Sequence, residues 1–165
     1  MEIWASGTSG NPRLKRWLVG GLGVLSLAAA PAARANGPES TLMNSAALIQ
    51  MEDQADRAKP REQCYLYTQL VNALADTASR QVAAGMDEDA AKTVVRIAEV
   101  TAKLLNTAAR DTKKLKDAEK ILSESSRKLT ELTRVANGEQ RDELRATVVK
   151  LDAAHSKILS LVFLQ

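Results

Sequence analysis

The stretch DEDAAKTVVRIAEVTAKLLNTAARDTKKLKDAEKILSESSRKLTELTRVAN, from Asp87 to Asn137, contains no Gly and no Pro and keeps its apolar residues in one helical phase. Positions at alternating spacings of three and four are mostly apolar or small, and we name this set the apolar seam. Its members are Val94, Ile97, Thr101, Leu104, Ala108, Asp111, Leu115, Ala118, Leu122, Ser125, Leu129, Leu132 and Ala136. A period near 3.5 residues is typical of a helix packed along another helix.

Two architectures fit the seam. One is a single helix of about 50 residues, roughly 75 Å long. The other turns within the polar run at 109–114 and gives two shorter helices. We favour the single helix, because this run has no turn residue other than Asp111 and a hairpin would not need to preserve the phase of the seam. The hairpin stays open as an alternative, because a four-helix bundle buries more apolar surface than a rod. The predicted fold is therefore all-α, an antiparallel helical bundle built on a long central helix at about 87–137.

The ends of the central stretch carry helix-boundary residues. Gly85 is expected to stop the preceding helix, and Asp87 to act as the N-cap of the next one. Acidic residues at 88 and 89 favour the positive end of the helix dipole. The pair Asn137-Gly138 predicts a left-handed turn at the carboxyl end.

Three shorter helices flank the central stretch. The first runs to about Ala58, capped by Ser40 or Thr41, and Pro60 ends it. The second spans about 61–84 and the last about 139–163. The predicted apolar faces are Leu42, Met43, Ala46 and Ile49 in the first, Cys64, Tyr67, Leu70, Val71, Leu74, Ala78 and Val82 in the second, and Leu144, Val148, Leu151, His155, Ile158 and Val162 in the last, which Val149, Leu159 and Leu161 broaden. The final run at 161–164 is predicted to be buried, in the core or against a partner subunit.

Residues 1–35 have the pattern of a signal peptide. Arg13, Lys15 and Arg16 form a basic segment, an apolar segment follows from Trp17 to about Ala30, and Ala33-Arg34-Ala35 supplies a cleavage pattern. An uncleaved membrane anchor is the alternative, but the apolar run is short for a span of about 20 residues. The prediction is a periplasmic or secreted protein whose single domain spans 36–165.

The signal segment accounts for the basic balance of the chain. The sequence has 23 Lys and Arg against 20 Asp and Glu. Residues 1–35 contain four basic residues and one acidic residue, so the remainder has 23 − 4 = 19 basic and 20 − 1 = 19 acidic residues. A domain with no net charge gives no indication of nucleic-acid binding.

Cys64 and His155 are the residues with the most chemical potential. The chain has one His and one Cys, too few for a zinc site or for a di-metal carboxylate site with two Glu-x-x-His motifs. His155 lies on the apolar face of the last helix, where it is either a hydrogen-bonded interface histidine or a weak candidate ligand for a cofactor such as haem. Cys64 is either a buried thiol or, in an oxidising compartment, a possible intermolecular thiol. No catalytic set, metal site or phosphate loop is predicted.

A basic cluster follows the middle of the central stretch. Its members are Arg110, Lys113, Lys114, Lys116 and Lys120. Acidic residues interleave with it at spacings that favour the pairs Lys113–Asp117, Lys120–Glu124 and Glu124–Lys128. This pattern is typical of a solvated helix face, and a polyanion-binding patch is the alternative.

Two resemblances bear on fold and location. Gln81–Ile97, QVAAGMDEDAAKTVVRI, resembles the turn of a tetratricopeptide repeat at Gly85, Ala90 and Val94, with no second copy evident. The signal segment followed by REQCYLYTQL (Arg61–Leu70) and DTKKLKDAE (Asp111–Glu119) resembles uncharacterised exported helical proteins of acidobacteria. That resemblance implies an extracytoplasmic location and a helical fold, and it brings no activity with it.

These observations favour an exported non-enzymatic helical protein that acts through protein–protein contact, as a scaffold, an adaptor or a self-assembling envelope protein. The expected partner is a protein or a second copy of the chain, with no cofactor, no nucleic acid and no stable membrane anchor after cleavage. The alternatives are a small-ligand or haem carrier that uses the bundle interior near His155, and a tetratricopeptide-like binding module.

Overall fold

The computed structural model describes residues 38–109 and 112–164, with side chains from Ser45 onward. The signal-peptide prediction lies outside these residues, whereas Ser40 and Thr41, predicted to cap the first helix, lie inside that helix because it begins at Pro38. Within the described residues the chain forms five helices and no strand. The helices are α1 (Pro38–Arg57), α2 (Pro60–Ala83), α3 (Asp87–Thr107), α4 (Leu115–Val135) and α5 (Gly138–Phe163).

Helices α2 to α5 form a closed four-helix bundle. α2 packs against α3 and α4, and α5 packs against the same two helices. α3 and α4, although consecutive in the chain, therefore lie diagonally across the bundle. α1 packs on the outside against α2.

Helices one hairpin apart run parallel. Lys113 pairs with Glu62, Ser125 with Asn72, and Lys157 donates to the carbonyl oxygen of Leu105, at sequence separations of 51, 53 and 52 residues. A nearly constant separation means that α4 runs alongside α2, and α5 alongside α3, in the same direction. The bundle is thus two antiparallel hairpins, α2–α3 and α4–α5, stacked side by side.

The two hairpins also share a sequence pattern. Thr93-Val94-Val95-Arg96-Ile97 recurs as Thr147-Val148-Val149-Lys150-Leu151, a shift of 147 − 93 = 54 residues. The same shift superimposes buried positions along both hairpins. These pairs are Cys64/Ala118, Thr68/Leu122, Val71/Ser125, Ala75/Leu129, Ala78/Leu132, Ala90/Leu144, Ile97/Leu151, Val100/Ala154 and Leu104/Ile158.

The two hairpins at 59–107 and 113–161 therefore bury corresponding positions along much of their length, although the buried Leu70 and Leu74 correspond to the charged Glu124 and Lys128. The resemblance of 81–97 to a tetratricopeptide turn stays an expectation. The shift between the two hairpins is 54 residues, longer than the period of about 34 residues in tetratricopeptide repeats.

The predicted continuous helix at about 87–137 is not observed. α3 ends at Thr107, and Ala108 after it has an extended backbone with ψ 112°. Lys114 adopts a left-handed conformation with φ 59° just before α4. The Ala109 amide donates to Thr112 Oγ1 at 3.1 Å, and the Lys113 amide donates to the Arg61 carbonyl oxygen at 2.8 Å. These hydrogen bonds satisfy backbone groups that a helix would have used, and the break lets α4 pack into the bundle.

The apolar seam lies in the core of both helices, as predicted. Leu104, Leu122 and Leu129 are fully buried, and Leu115 is nearly so. Buried hydroxyls on the seam donate to carbonyls one turn earlier, Thr101 to Ile97 and Ser125 to Ile121. Among the described side chains, no buried nitrogen or oxygen lacks a hydrogen-bond partner. The apolar seam keeps one helical phase on both sides of the break between α3 and α4, because both helices bury it in the same core.

Helix boundaries agree with the sequence within a few residues, but two caps do not. Asp87 is the first helical residue and Met86 occupies the N-cap position. Asn137 has an extended backbone and precedes α5, which begins at Gly138. The predicted left-handed turn is therefore absent at this link, where the chain passes directly into the next helix.

Two apolar faces also differ from expectation. In α1, Ile49 is 54% exposed, while Leu48 and Ala55 are buried instead. At the carboxyl end, Leu161 and Val162 pack partly against the core, whereas Phe163 is 81% exposed. The prediction that the whole run 161–164 is buried in the chain's own core is thus right only for its first half.

Gly85 is the one glycine with a conformational requirement among the described residues, since its φ is +71°. We expect Gly85→Ala to lower the free energy of unfolding by about 1 kcal/mol, because a Cβ disfavours the left-handed region. Gly138 has open space around it and no positive φ, so Gly138→Ala is the matched control and should be neutral or stabilising. Chemical denaturation of both variants measures this, and equal effects would contradict the turn geometry.

Candidate functional site

A cluster of charged side chains joins α1 to α3, and we name it the α1 cluster. Glu52 contacts Arg96 at 2.6 Å and Lys103 at 2.8 Å. Lys103 also reaches Asp56 at 3.3 Å, and the Tyr67 hydroxyl donates to the same carboxylate. The sequence analysis did not single out these residues. The sequence does contain a pattern that could have indicated them. Glu52 and Asp56 are one turn apart on α1, and Arg96 and Lys103 are two turns apart on α3.

The α1 cluster shifts the pKa of its carboxyls. Hydrogen bonds from Lys103 and then Arg96 hold the pKa of Glu52 below its ordinary value of 4.5. The hydrogen bond from Tyr67, with a smaller contribution from Lys103, lowers the pKa of Asp56. Because folding lowers both values, the cluster stabilises the docked α1 fully above about pH 4.5, and the stabilisation is lost as the pH falls through the folded-state pKa values.

His155 lies between α5 and α4. Its Nε2 atom is 2.8 Å from Glu119 Oε1, and both side chains are about three-quarters buried. This contact confirms the interpretation of a hydrogen-bonded interface histidine. The contact engages Nε2, one of the two ring nitrogens of His155.

Cys64 is fully buried in α2. Burial raises the pKa of its thiol to about 11, with the positive charge of Lys157 opposing the shift. A nucleophilic or metal-binding cysteine needs its thiolate, and an intermolecular disulfide needs exposure. The folded state favours neither the thiolate nor the exposure of Cys64. The intermolecular-thiol hypothesis for Cys64 therefore requires α2 to open.

We expect Cys64 to react with a thiol reagent at pH 8 at least about 100-fold more slowly than an exposed cysteine, because thiolate formation and access are both disfavoured. Ser123→Cys, at an exposed position of α4, supplies the reference thiol. Labelling should become fast in denaturant. Comparable native rates at the two positions would show that Cys64 is accessible.

Two lysines of the basic cluster, Lys113 and Lys114, contact side chains of α2. Lys113 pairs with Glu62 at 2.8 Å rather than with Asp117, because Lys113 precedes α4 and is not helical. The Lys114 ammonium lies 4.4 Å from the centre of the Tyr65 ring. The predicted Glu124–Lys128 pair is confirmed at 3.1 Å. Arg110 lies outside the described residues.

A shallow groove of about 410 Å³ runs between α3 and α5. Its floor is made of small and apolar side chains, and charged groups line its rim. The lining residues are Val95, Ala98, Glu99, Ala102, Glu143, Ala146, Thr147 and Lys150. His155 is not among them, so the groove and the predicted ligand site near that histidine are separate places.

The carboxyl end of α5 presents exposed apolar side chains. Phe163 is 81% exposed, Leu164 is 58% exposed and Val149 is 68% exposed. Val149 and Phe163 are 163 − 149 = 14 residues apart, about four helical turns, so they lie on one side of α5. Asp152, Ser156 and Ser160 lie between them on that side, so we name only Phe163 and Leu164, at the carboxyl end, the α5 apolar patch.

Within 38–109 and 112–164, no group of three or more His, Cys, Asp or Glu side chains is arranged to hold a metal ion. No helix in the same part of the chain is both long and apolar enough to cross a membrane. Comparison with protein-family models, with curated proteins and with solved structures gives no significant match.

Proposed function

We propose that this chain is an exported, non-enzymatic helical protein that acts through protein–protein contact, and that the α5 apolar patch is its contact surface. The observation that carries the proposal is the exposure of Phe163, at 81%, on a domain whose other large apolar side chains are mostly buried. A large aromatic side chain in water at the end of a packed helix costs solvation free energy that contact with a partner would recover.

The architecture supports the same proposal. Stacked helical hairpins present rigid outer surfaces, and proteins built from such repeats bind partners along them. Val149 on α5 is 68% exposed, and Val95 on α3, which lines the groove against α5, is 41% exposed.

The test compares substitutions at opposite ends of the domain. Residues 36–165 form one compact unit, and we expect this unit to self-associate at high concentration in size-exclusion chromatography with light scattering. Phe163→Asp should shift it to monomer. Val135, 69% exposed at the end of α4, provides the control, and Val135→Asp should leave the mass unchanged.

A strict monomer at every concentration would remove the self-association form of the proposal. A photo-crosslinking amino acid at position 163 then separates the remaining possibilities. A discrete adduct in intact cells at position 163 but not at position 135 supports an envelope partner. Equal adducts, or none, at both positions would overturn the patch as a contact surface.

The small-ligand or haem carrier has less support. His155 is paired with Glu119, and the groove between α3 and α5 does not include it. Of the tetratricopeptide-like module we retain only one property, a protein-binding surface made of helical hairpins.

The proposed location rests on the signal pattern of residues 1–35. Cleavage after Ala35 would release a chain that begins at Asn36. Mass spectrometry of the protein recovered from the periplasm or the medium tests this, and retention of the first 35 residues in that fraction would contradict it.

A further inference from the structure

From Ser45 onward, where its side chains are described, α1 buries few side chains. Leu48 and Ala55 are its buried apolar side chains among the described residues, whereas α2 has nine buried residues and α3 and α4 have six each. The ring of α2 to α5 closes without α1. α1 also ends at Arg57, and Lys59, in an extended conformation, separates it from Pro60 at the start of α2.

The surface that α1 contacts has an aromatic and a cationic part. Tyr67 of α2 is nearly buried and donates to Asp56, and the buried Leu70 and Leu74 follow it at helical spacing on α2. Arg96 and Lys103 lie two turns apart on α3 and contact carboxylates of α1. The positions of α4 that match Leu70 and Leu74 are the charged Glu124 and Lys128, so an apolar flank here is specific to the first hairpin.

We propose that this surface of α2 and α3 is a binding site for an acidic amphipathic helix of a partner protein, and that α1 occupies it in cis. Charge complementarity defines the ligand. It carries a carboxylate pair one turn apart, as Glu52 and Asp56 are, and an apolar side chain one turn before the pair, as Leu48 is. The site lies on the first hairpin and is separate from the α5 apolar patch, so the two proposals stand or fall independently.

The α1 segment competes with any such partner because it is tethered. A short linker gives a tethered segment an effective concentration in the millimolar range, so the site is closed until the contacts of α1 are weakened. The test therefore weakens the docking of α1 and leaves the residues of the site on α2 and α3 unchanged. Glu52→Lys with Asp56→Lys reverses the carboxylates of α1, and Arg96 and Lys103 stay as they are.

The probe is a fluorescent peptide with the native sequence of residues 38–57, added to the 36–165 unit. We expect it to bind the α1-reversed variant at least about tenfold more tightly than the wild-type chain, because the cis competitor is repelled. Adding Arg96→Glu and Lys103→Glu to that variant should remove the gain. Asp53→Lys alters an exposed acidic residue of α1 that pairs with Arg57, and it should bind the peptide as the wild type does.

A milder pair, Glu52→Gln with Asp56→Asn, keeps the test valid if the reversed variant folds poorly, and it should gain at least about threefold. Hydrogen exchange reports whether α2 to α5 stay protected while α1 exchanges faster. Failure of the peptide to bind either α1 variant, or binding that survives reversal of Arg96 and Lys103, would overturn the proposal. A concentration-dependent dimer of the wild-type chain that the peptide dissociates would also overturn it, since the occupant would then be α1 of a second copy.

Discussion

Leu122→Ala should lower the free energy of unfolding by about 2–5 kcal/mol. Leu122 is fully buried at the middle of α4, where it faces the interior shared by all four bundle helices. Removal of its side chain loses apolar burial and leaves a cavity that the surrounding helices fill only in part.

Urea denaturation measures this effect, and Val149→Ala is the control. Val149 is 68% exposed on α5, so its truncation should change the free energy of unfolding by no more than about 0.5 kcal/mol. A cost below about 1 kcal/mol at Leu122 would mean that the seam of α4 is not part of the core.

Ser123→Pro should cost about 3 kcal/mol or more, whereas Ala109→Pro should cost about 1 kcal/mol or less. Ser123 is exposed within α4, where Pro removes an intrahelical hydrogen bond and clashes with the preceding turn. Ala109 lies between the helices, and Ala108 before it is already extended with ψ 112°, as a residue before Pro prefers. The loss there is one hydrogen bond to Thr112 Oγ1.

Thermal and chemical denaturation of this pair separate the two architectures. A single helix through 87–137 would make both positions helix-interior and both substitutions costly. Similar losses at 109 and 123 would therefore contradict the break between α3 and α4.

The sequence pattern was sufficient for the helical class and for the buried face of the central stretch. The seam could not locate the break, because its phase is the same on both sides. The break itself depends on Thr112 and Lys114, neither of which is a strong turn former. Their conformations are stabilised by contacts distant in the chain, such as the Lys113 amide to Arg61.

The face of α1 was mispredicted for an electrostatic reason. Leu48 and Met51 turn inward together with Glu52, because Glu52 pairs with Arg96 and Lys103 of α3. A glutamate on the buried side interrupts an apolar pattern, and its partners are more than 40 residues away.

The correspondence between the two hairpins is not evident from the sequence, because they agree closely over only five consecutive residues. Elsewhere they share which positions are buried rather than which residues occupy them, as in Ala75 and Leu129. The parallel pairing of the helices makes this correspondence visible.

The central claim is that α3 and α4 fold back across the bundle rather than extend as a rod. The Gln140 side chain donates to the Asp87 carbonyl oxygen at 2.8 Å, which places the start of α3 beside the start of α5 and hence near the end of α4. Spin labels at the exposed positions 88 and 131, in a Cys64→Ala background, measure this separation by pulsed electron resonance. The account predicts a distance under about 30 Å, given helix axes about 10 Å apart. A distance near 65 Å, which 43 helical residues would span, would contradict it.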